Sequence, residues 1–85
     1  MSTPEQLRNW VRGHLAQVLG LPPESIALDR TLADYGLDSI DAVVMAGELE
    51  DHFRIEIDPA SFIRFATFEA MIAGLAVVLE ARECG

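Results

Sequence analysis

Residues 36–40, Gly-Leu-Asp-Ser-Ile, place the hydroxyl of Ser39 beside a carboxylate at the start of a predicted helix. A catalytic serine needs an adjacent base and an oxyanion hole. The sequence contains two histidines, His14 and His52. At 1.5 Å per residue, His52 lies about 20 Å from Ser39 along the same helix, and it falls on a different face. Ser39 is therefore predicted to be an attachment point for a phosphate-linked group, not a catalyst.

The physics of a helix N-terminus favours such an attachment. Free backbone amides and the helix dipole stabilise negative charge there, which suits a phosphodiester on Ser39. Asp38 or Ser39 can cap the helix, and Asp38 is also placed to orient a modifying enzyme or a metal ion. The alternative is that the pair is only a helix cap. The acidic residues lack calcium-loop spacing and no histidine–cysteine cluster exists, so no resident metal site is predicted.

Apolar periodicity predicts four helices and no strand, with three long helices and a short third one. Their predicted spans are residues 4–19, 39–53, 59–65 and 67–82. A long loop, residues 20–38, joins the first two helices and contains a helical turn near residues 31–34. Its spaced apolar residues predict that it packs on the bundle: Ile26, Leu28, Leu32, Tyr35 and Leu37. Residues 1–85 are thus expected to form one all-α domain, a small four-helix bundle.

The predicted second helix has two apolar faces, although a surface helix in a small bundle needs only one. The first falls within roughly 80° of arc and is assigned to the core: Ala42, Met45, Ala46, Leu49 and Phe53. The second, which we call the outer face, lies nearly opposite: Ile40, Val43, Val44 and Gly47. Acidic residues flank or interrupt it: Asp41, Glu48, Glu50 and Asp51. Either this face packs under the first loop or stays exposed without a role, or it is a docking surface with an acidic rim. We favour docking.

The charge of the chain is concentrated in one segment. Net charge is −8, and eight of the 14 acidic residues lie between Asp34 and Asp58, with Arg54 as the one basic residue there. This pattern predicts basic protein partners and excludes nucleic acid and anionic membranes as partners. No membrane span or signal peptide is apparent, and Cys84 has no second cysteine to pair with. We expect a cytoplasmic monomer.

The chain resembles the acyl carrier proteins from Leu7 to Leu79. The resemblance is carried by Tyr35 with the Gly-Leu-Asp-Ser-Ile motif, by the helix end at residues 49–53, by the linker 55–57 and by residues 65–68. It implies that a magnesium-dependent transferase attaches the phosphopantetheine of coenzyme A to Ser39, and that the thiol of this arm carries acyl groups as thioesters. It implies no catalysis by the chain itself. The outer face and its acids would be read by acyltransferases or acyl-ligases, ketosynthases and other enzymes with basic docking patches.

Two departures from the family pattern concern the outer face. Val44 stands where many fatty-acid-synthesis carriers have glutamate, and Gly47 stands where a bulkier apolar residue is common. Partner recognition should therefore depend more on apolar contact and less on charge. This favours a discrete carrier for polyketide or hybrid polyketide–peptide assembly. The alternatives are a fatty-acid-synthesis carrier, a peptidyl or aminoacyl carrier, and a helical adaptor without a prosthetic group.

Overall fold

The computed structural model describes residues 3–57 and 67–84. They form three α-helices, α1 (Thr3–Leu19), α2 (Ser39–Phe53) and α3 (Phe68–Cys84). No strand occurs within these two ranges, so the predicted all-α class is confirmed. The predicted short helix over residues 59–65 lies outside the described residues.

The helix boundaries follow local signals in the sequence. α2 has the predicted bounds, α1 begins one residue earlier than predicted, and α3 runs from Phe68 to Cys84 instead of 67–82. Gly20 ends α1 with a φ of 68°, a conformation that glycine adopts without steric cost. Arg54 ends α2 in the same left-handed region, with a φ of 57°, and its backbone N–H donates to the carbonyl of Glu50.

The core lies between the three helices and is lined by apolar side chains from each. The residues with no exposed surface include three of α1 and three from the predicted core face of α2: Leu7, Val11, Leu15, Ala42, Ala46 and Leu49. α3 buries one apolar stripe: Phe68, Met71, Ile72, Leu75 and Leu79. Segments outside the helices contribute the remaining anchors: Ile26, Leu28, Ile55 and Ile57. Phe53 is only half-buried, because it lies in the last turn of α2.

The loop between α1 and α2 packs on the bundle, as its spaced apolar residues predict. It contains two 3-10 turns, Pro23–Ser25 and Ala33–Tyr35, the second lying close to the predicted turn at residues 31–34. Two backbone hydrogen bonds join the loop to the start of α3. The N–H of Phe68 donates to the Arg30 carbonyl at 3.0 Å, and that of Glu69 donates to the Leu28 carbonyl at 2.9 Å. The loop is therefore a packed part of the domain.

A two-pronged ion pair joins α1 to α3. Arg8 donates from Nε to Oε1 of Glu69 at 2.9 Å and from Nη2 to Oε2 at 3.2 Å. The hydrogen bond and positive charge of Arg8 hold the pKa of Glu69 below its ordinary value of 4.5. Both side chains are about one-third or more exposed, so we expect a contribution of about 0.2–1 kcal/mol, as for other solvent-screened pairs.

Arg8→Gln is expected to lower stability at neutral pH but not in acid. The folded-state pKa of Glu69 is depressed, so the stability from the pair is complete above the ordinary pKa and is lost as the pH falls through the folded pKa. Urea unfolding of wild type and variant at about pH 7 and about pH 3 checks this. An equal difference at both pH values would show that Arg8 stabilises the domain by packing and not by its charge.

Candidate functional site

Ser39 is the first residue of α2 and is exposed. It lies between the two residues of a reciprocal capping box, Asp38 and Asp41. Oδ1 of Asp38 accepts hydrogen bonds from the N–H groups of Ile40 at 3.0 Å and Asp41 at 3.1 Å. Oδ2 of Asp41 accepts from the N–H of Asp38 at 3.0 Å. The cap is thus Asp38, and the hydroxyl of Ser39 takes part in none of the hydrogen bonds of the described residues. The local geometry fixes the backbone of Ser39 and leaves its oxygen open to solvent.

The carboxylate of Asp38 stays charged beside this oxygen. The backbone hydrogen bond from Asp41 is the main reason that the pKa of Asp38 lies below its ordinary value, with the side chain of Asp41 and the N–H of Ile40 adding to it. Hydrogen bonds to the ionised form favour that form. A fixed negative charge therefore lies next to the serine at neutral pH, available to orient a cation or a donor group of a modifying enzyme.

The outer face of α2 is exposed, as the two-faced pattern of the helix predicts. Ile40 is 71%, Val43 53% and Val44 51% exposed, and Gly47 is exposed as well. On the opposite side of the helix, Met45 is only 1% exposed. The alternative that the outer face is covered by the first loop is therefore excluded. A contiguous apolar surface begins at the residue that follows Ser39.

The acidic residues around the outer face differ in their partners. Oε2 of Glu48 lies 2.8 Å from Nδ1 of His14 on α1, and Oε2 of Glu50 accepts from the N–H of Ile57 at 3.1 Å. Asp41 belongs to the capping box, whereas Asp51 is exposed in the last turn and has no such bond among the described residues. Three of the four predicted rim acids thus also contact other groups of the domain. The sequence pattern did not predict these contacts, although a histidine among the buried apolar residues of α1, His14, was a signal for one of them.

An open groove separates α1 from the C-terminal half of α2. It has a volume of about 860 Å³, and its walls include Trp10, His14, Glu48, Asp51 and His52. The rings of Trp10 and His14 stack with centroids 5.1 Å apart, so His14 packs at the edge of the core. Neither histidine is hydrogen-bonded to Ser39. The groove therefore brings no general base to the serine.

Residues 3–57 and 67–84 contain neither a cluster of metal-binding side chains nor a helix that could span a membrane. No group of three or more histidine, cysteine or acidic side chains is placed to hold a metal ion. No helix in this part of the chain has the length and apolar character needed to cross a membrane.

Comparisons with known proteins point to one family. Residues 9–75 match the family model described as a phosphopantetheine attachment site. The chain is 31% identical over 83 residues to acyl carrier protein 3 of Ralstonia nicotianae, a match that covers 96% of this chain and 94% of that protein. The solution structure of the acyl carrier protein Asl1650 from Anabaena sp. PCC 7120 has the same fold, with a TM-score of 0.83, 22% identity and coverage of 93% of this chain and 92% of that chain.

Much larger proteins contain a similar segment. The chain is 36% identical over 76 residues to a phenolphthiocerol/phthiocerol polyketide synthase of Mycobacterium tuberculosis, a match that covers 89% of this chain and 4% of that protein. It thus spans a small fraction of the synthase and nearly all of the Ralstonia carrier. The matched family model shows that the cofactor is phosphopantetheine, and the Ralstonia relative is an acyl carrier protein over nearly the whole length of both chains. The chain belongs to the acyl carrier proteins.

Proposed function

We propose that Ser39 carries the phosphopantetheine arm and that this chain presents arm-bound acyl thioesters to partner enzymes of polyketide or hybrid polyketide–peptide assembly. The observation that carries the assignment to Ser39 is its exposed hydroxyl at the capping box of α2, which bonds to none of the residues that the structure describes. A group attached there extends into solvent from a fixed backbone position. The first-turn amides and the helix dipole favour its negative charge.

The residues present suit attachment by a separate enzyme. Ser39 Oγ would lose its proton and form a phosphodiester with the pantetheine-side phosphorus of coenzyme A, and the adenosine bisphosphate would leave. The described residues place no histidine beside Ser39, and Asp38 is occupied by the helix cap, so a phosphopantetheinyl transferase would supply the base. Asp38 is the charged side chain nearest in sequence to the reacting oxygen and is assigned to orienting the transferase or its magnesium ion.

The assignment to polyketide assembly rests on two observations. Val44 replaces the glutamate that is common in fatty-acid-synthesis carriers, and the polyketide synthase of M. tuberculosis contains a segment 36% identical to this chain. A fatty-acid-synthesis carrier is the second candidate, because the chain is also similar to a small protein named only as an acyl carrier protein, from onion yellows phytoplasma, at 35% identity over 63 residues that cover 73% of this chain and 83% of that protein. We assign the carrier to the cytoplasm, where coenzyme A and the transferase are available.

The arm is tested by intact-mass measurement of the protein after incubation with coenzyme A and a broad-specificity transferase. Attachment of one phosphopantetheine is expected to add about 340 Da. Proteolytic mapping of the product should place the added mass on the peptide that contains Ser39. An unchanged mass under conditions that fully modify a known carrier would contradict the proposal.

We assign the outer face of α2 to partner docking. Ile40, Val43, Val44 and Gly47 form an exposed apolar centre one residue from Ser39, so an enzyme that reaches the arm comes close to this surface. Asp41, Glu48, Glu50 and Asp51 give the same helix a negative field that attracts basic docking patches. Because Asp41 and Glu50 hold internal hydrogen bonds and Glu48 lies against His14, apolar contact should supply most of the short-range affinity.

Val44→Asp tests this docking surface. We expect slower acyl loading or transfer by partner enzymes, because a carboxylate in an apolar contact must be desolvated without a partner. The free energy of unfolding should change by less than about 0.5 kcal/mol, as for other surface positions. Val78→Asp on α3 is the matched control, since Val44 and Val78 are both 51% exposed and each variant adds one negative charge.

The pair of variants separates docking from general effects of charge. Equal slowing by Val44→Asp and Val78→Asp would indicate that total charge matters and not the outer face. A large loss of stability in Val44→Asp would place the side chain in the core and remove its assignment to docking.

A further inference from the structure

We propose that the hydroxyl of Tyr35 is a positioning group for the modification of Ser39. It fastens the turn that precedes the serine to a part of the loop that is itself fixed to α3. The inference rests on the proposed attachment of the arm to Ser39, and it assigns a role in that step to a residue outside the attachment motif.

The hydroxyl of Tyr35 makes two hydrogen bonds to one residue. It donates to the carbonyl of Ala27 at 2.6 Å and accepts from the N–H of Ala27 at 2.8 Å. Its ring is half-buried and lies 6.1 Å from the ring of Phe68, between centroids. Tyr35 thus contacts both the loop segment at residue 27 and the first residue of α3.

The segment that Tyr35 holds is firmly attached on its other side. Residues 28 and 30 accept the two backbone hydrogen bonds from the first two residues of α3, and the side chains of Ile26 and Leu28 are each only 4% exposed. The hydrogen bonds to Ala27 therefore connect Tyr35 to a segment that is anchored in the core of the domain. Burial and backbone pairing of this kind define the more stable parts of a structure.

The segment on the near side of Tyr35 leads directly to the serine. Most of its hydrogen bonds are local: Gly36 N–H donates to the Ala33 carbonyl at 3.0 Å and Leu37 N–H to the Leu32 carbonyl at 2.9 Å. Gly36 has a φ of 73° and reverses the chain toward Asp38. Asp34 also exchanges two hydrogen bonds with the neighbouring Thr31. Among the described residues, the Tyr35 hydroxyl supplies the hydrogen bonds that connect residues 32–37 to a loop segment beyond Thr31.

This connection has a consequence for recognition. A transferase that binds the loop end, Asp38 and Ser39 together needs them in one arrangement. If the carrier adopts that arrangement only part of the time, the apparent affinity of the transferase for the carrier falls in proportion to the fraction of carrier in that arrangement. The chemical step after binding is unchanged. Loss of the Tyr35 hydroxyl should therefore raise KM and leave kcat nearly constant.

Tyr35→Phe is the direct test, since it keeps the ring and removes both hydrogen bonds. The first readout is amide hydrogen exchange. We expect exchange at Gly36 and Leu37 to accelerate about 5- to 30-fold, because the loss of one or two hydrogen bonds changes the opening equilibrium by that factor. Amides in the middle of α1 should exchange at the wild-type rate. The second is the rate of phosphopantetheine transfer followed by intact mass. KM for the carrier should rise about threefold or more, with kcat within about twofold.

Arg8→Gln is the matched control, because it also removes two hydrogen bonds, between α1 and α3 and away from Ser39. It should leave KM and the exchange of Gly36 and Leu37 unchanged. The proposal is overturned by unchanged exchange in Tyr35→Phe, by an unchanged KM, or by the same rise in KM in Arg8→Gln. Failure of the wild type itself to gain mass would instead contradict the attachment of the arm, so the two proposals fail by different results.

Discussion

Ser39→Ala is expected to abolish the gain of about 340 Da that marks attachment of phosphopantetheine. Alanine lacks the oxygen on which the phosphodiester forms, so no partial modification should remain at long incubation. The fold should persist, because Ser39 is exposed and its hydroxyl makes no hydrogen bond with the described residues. Intact mass measures the first effect, and a thermal unfolding curve measures the second, with an expected change of less than about 0.5 kcal/mol.

Ser25→Ala is the matched control for this experiment. Ser25 is also exposed, but it lies in the 3-10 turn Pro23–Ser25 and outside the attachment motif. It should gain the full mass at the wild-type rate. Modification that persists in Ser39→Ala and disappears in Ser25→Ala would place the arm on the first loop and remove α2 from the attachment site.

Leu49→Ala is expected to have the largest effect on stability. Leu49 lies on the inner side of α2 with no exposed surface, so its truncation removes buried apolar contacts and leaves a cavity. Such changes cost about 2–5 kcal/mol. A small domain is stabilised by only about 5–15 kcal/mol in total. The melting temperature should therefore fall by roughly 8 °C or more, as measured by calorimetry or circular dichroism.

Val43→Ala provides the comparison on the other side of the same helix. Val43 is 53% exposed on the outer face, so its truncation should change the free energy of unfolding by less than about 0.5 kcal/mol. Similar losses in the two variants would mean that the outer face is packed in solution, against a second copy or another part of the chain. That result would contradict a free docking surface on the carrier.

The local features of the site could be predicted from the sequence because they depend on neighbouring residues. The bounds of α2 follow from its cap, its apolar period and its end signals, all within about 20 residues. The same holds for the inner and outer faces of α2, since a helix rotates by 100° per residue wherever it packs. The exposed Ser39 follows too, because a serine directly after a capping residue lies at an open helix end.

The contacts across the fold could not be predicted in this way. His14 meets Glu48 from a different helix, Glu50 accepts from Ile57 beyond the end of α2, and Tyr35 reaches back to Ala27. A sequence pattern shows which residues face the core or the solvent, but it does not show which acid on a surface finds which donor. That choice depends on helix crossing and loop path, which are set by packing of the whole core.

The sequence by itself determined the helical class, the two faces of α2 and the serine that begins it, because these follow from local capping and periodicity. Only the tertiary structure decided that Glu48 lies against His14, that Glu50 accepts from Ile57 and that the Tyr35 hydroxyl bonds the turn before Ser39 to Ala27. The physical reason is that polar partners are chosen by distance and direction after the core has packed, and residues far apart in sequence then come within hydrogen-bonding distance.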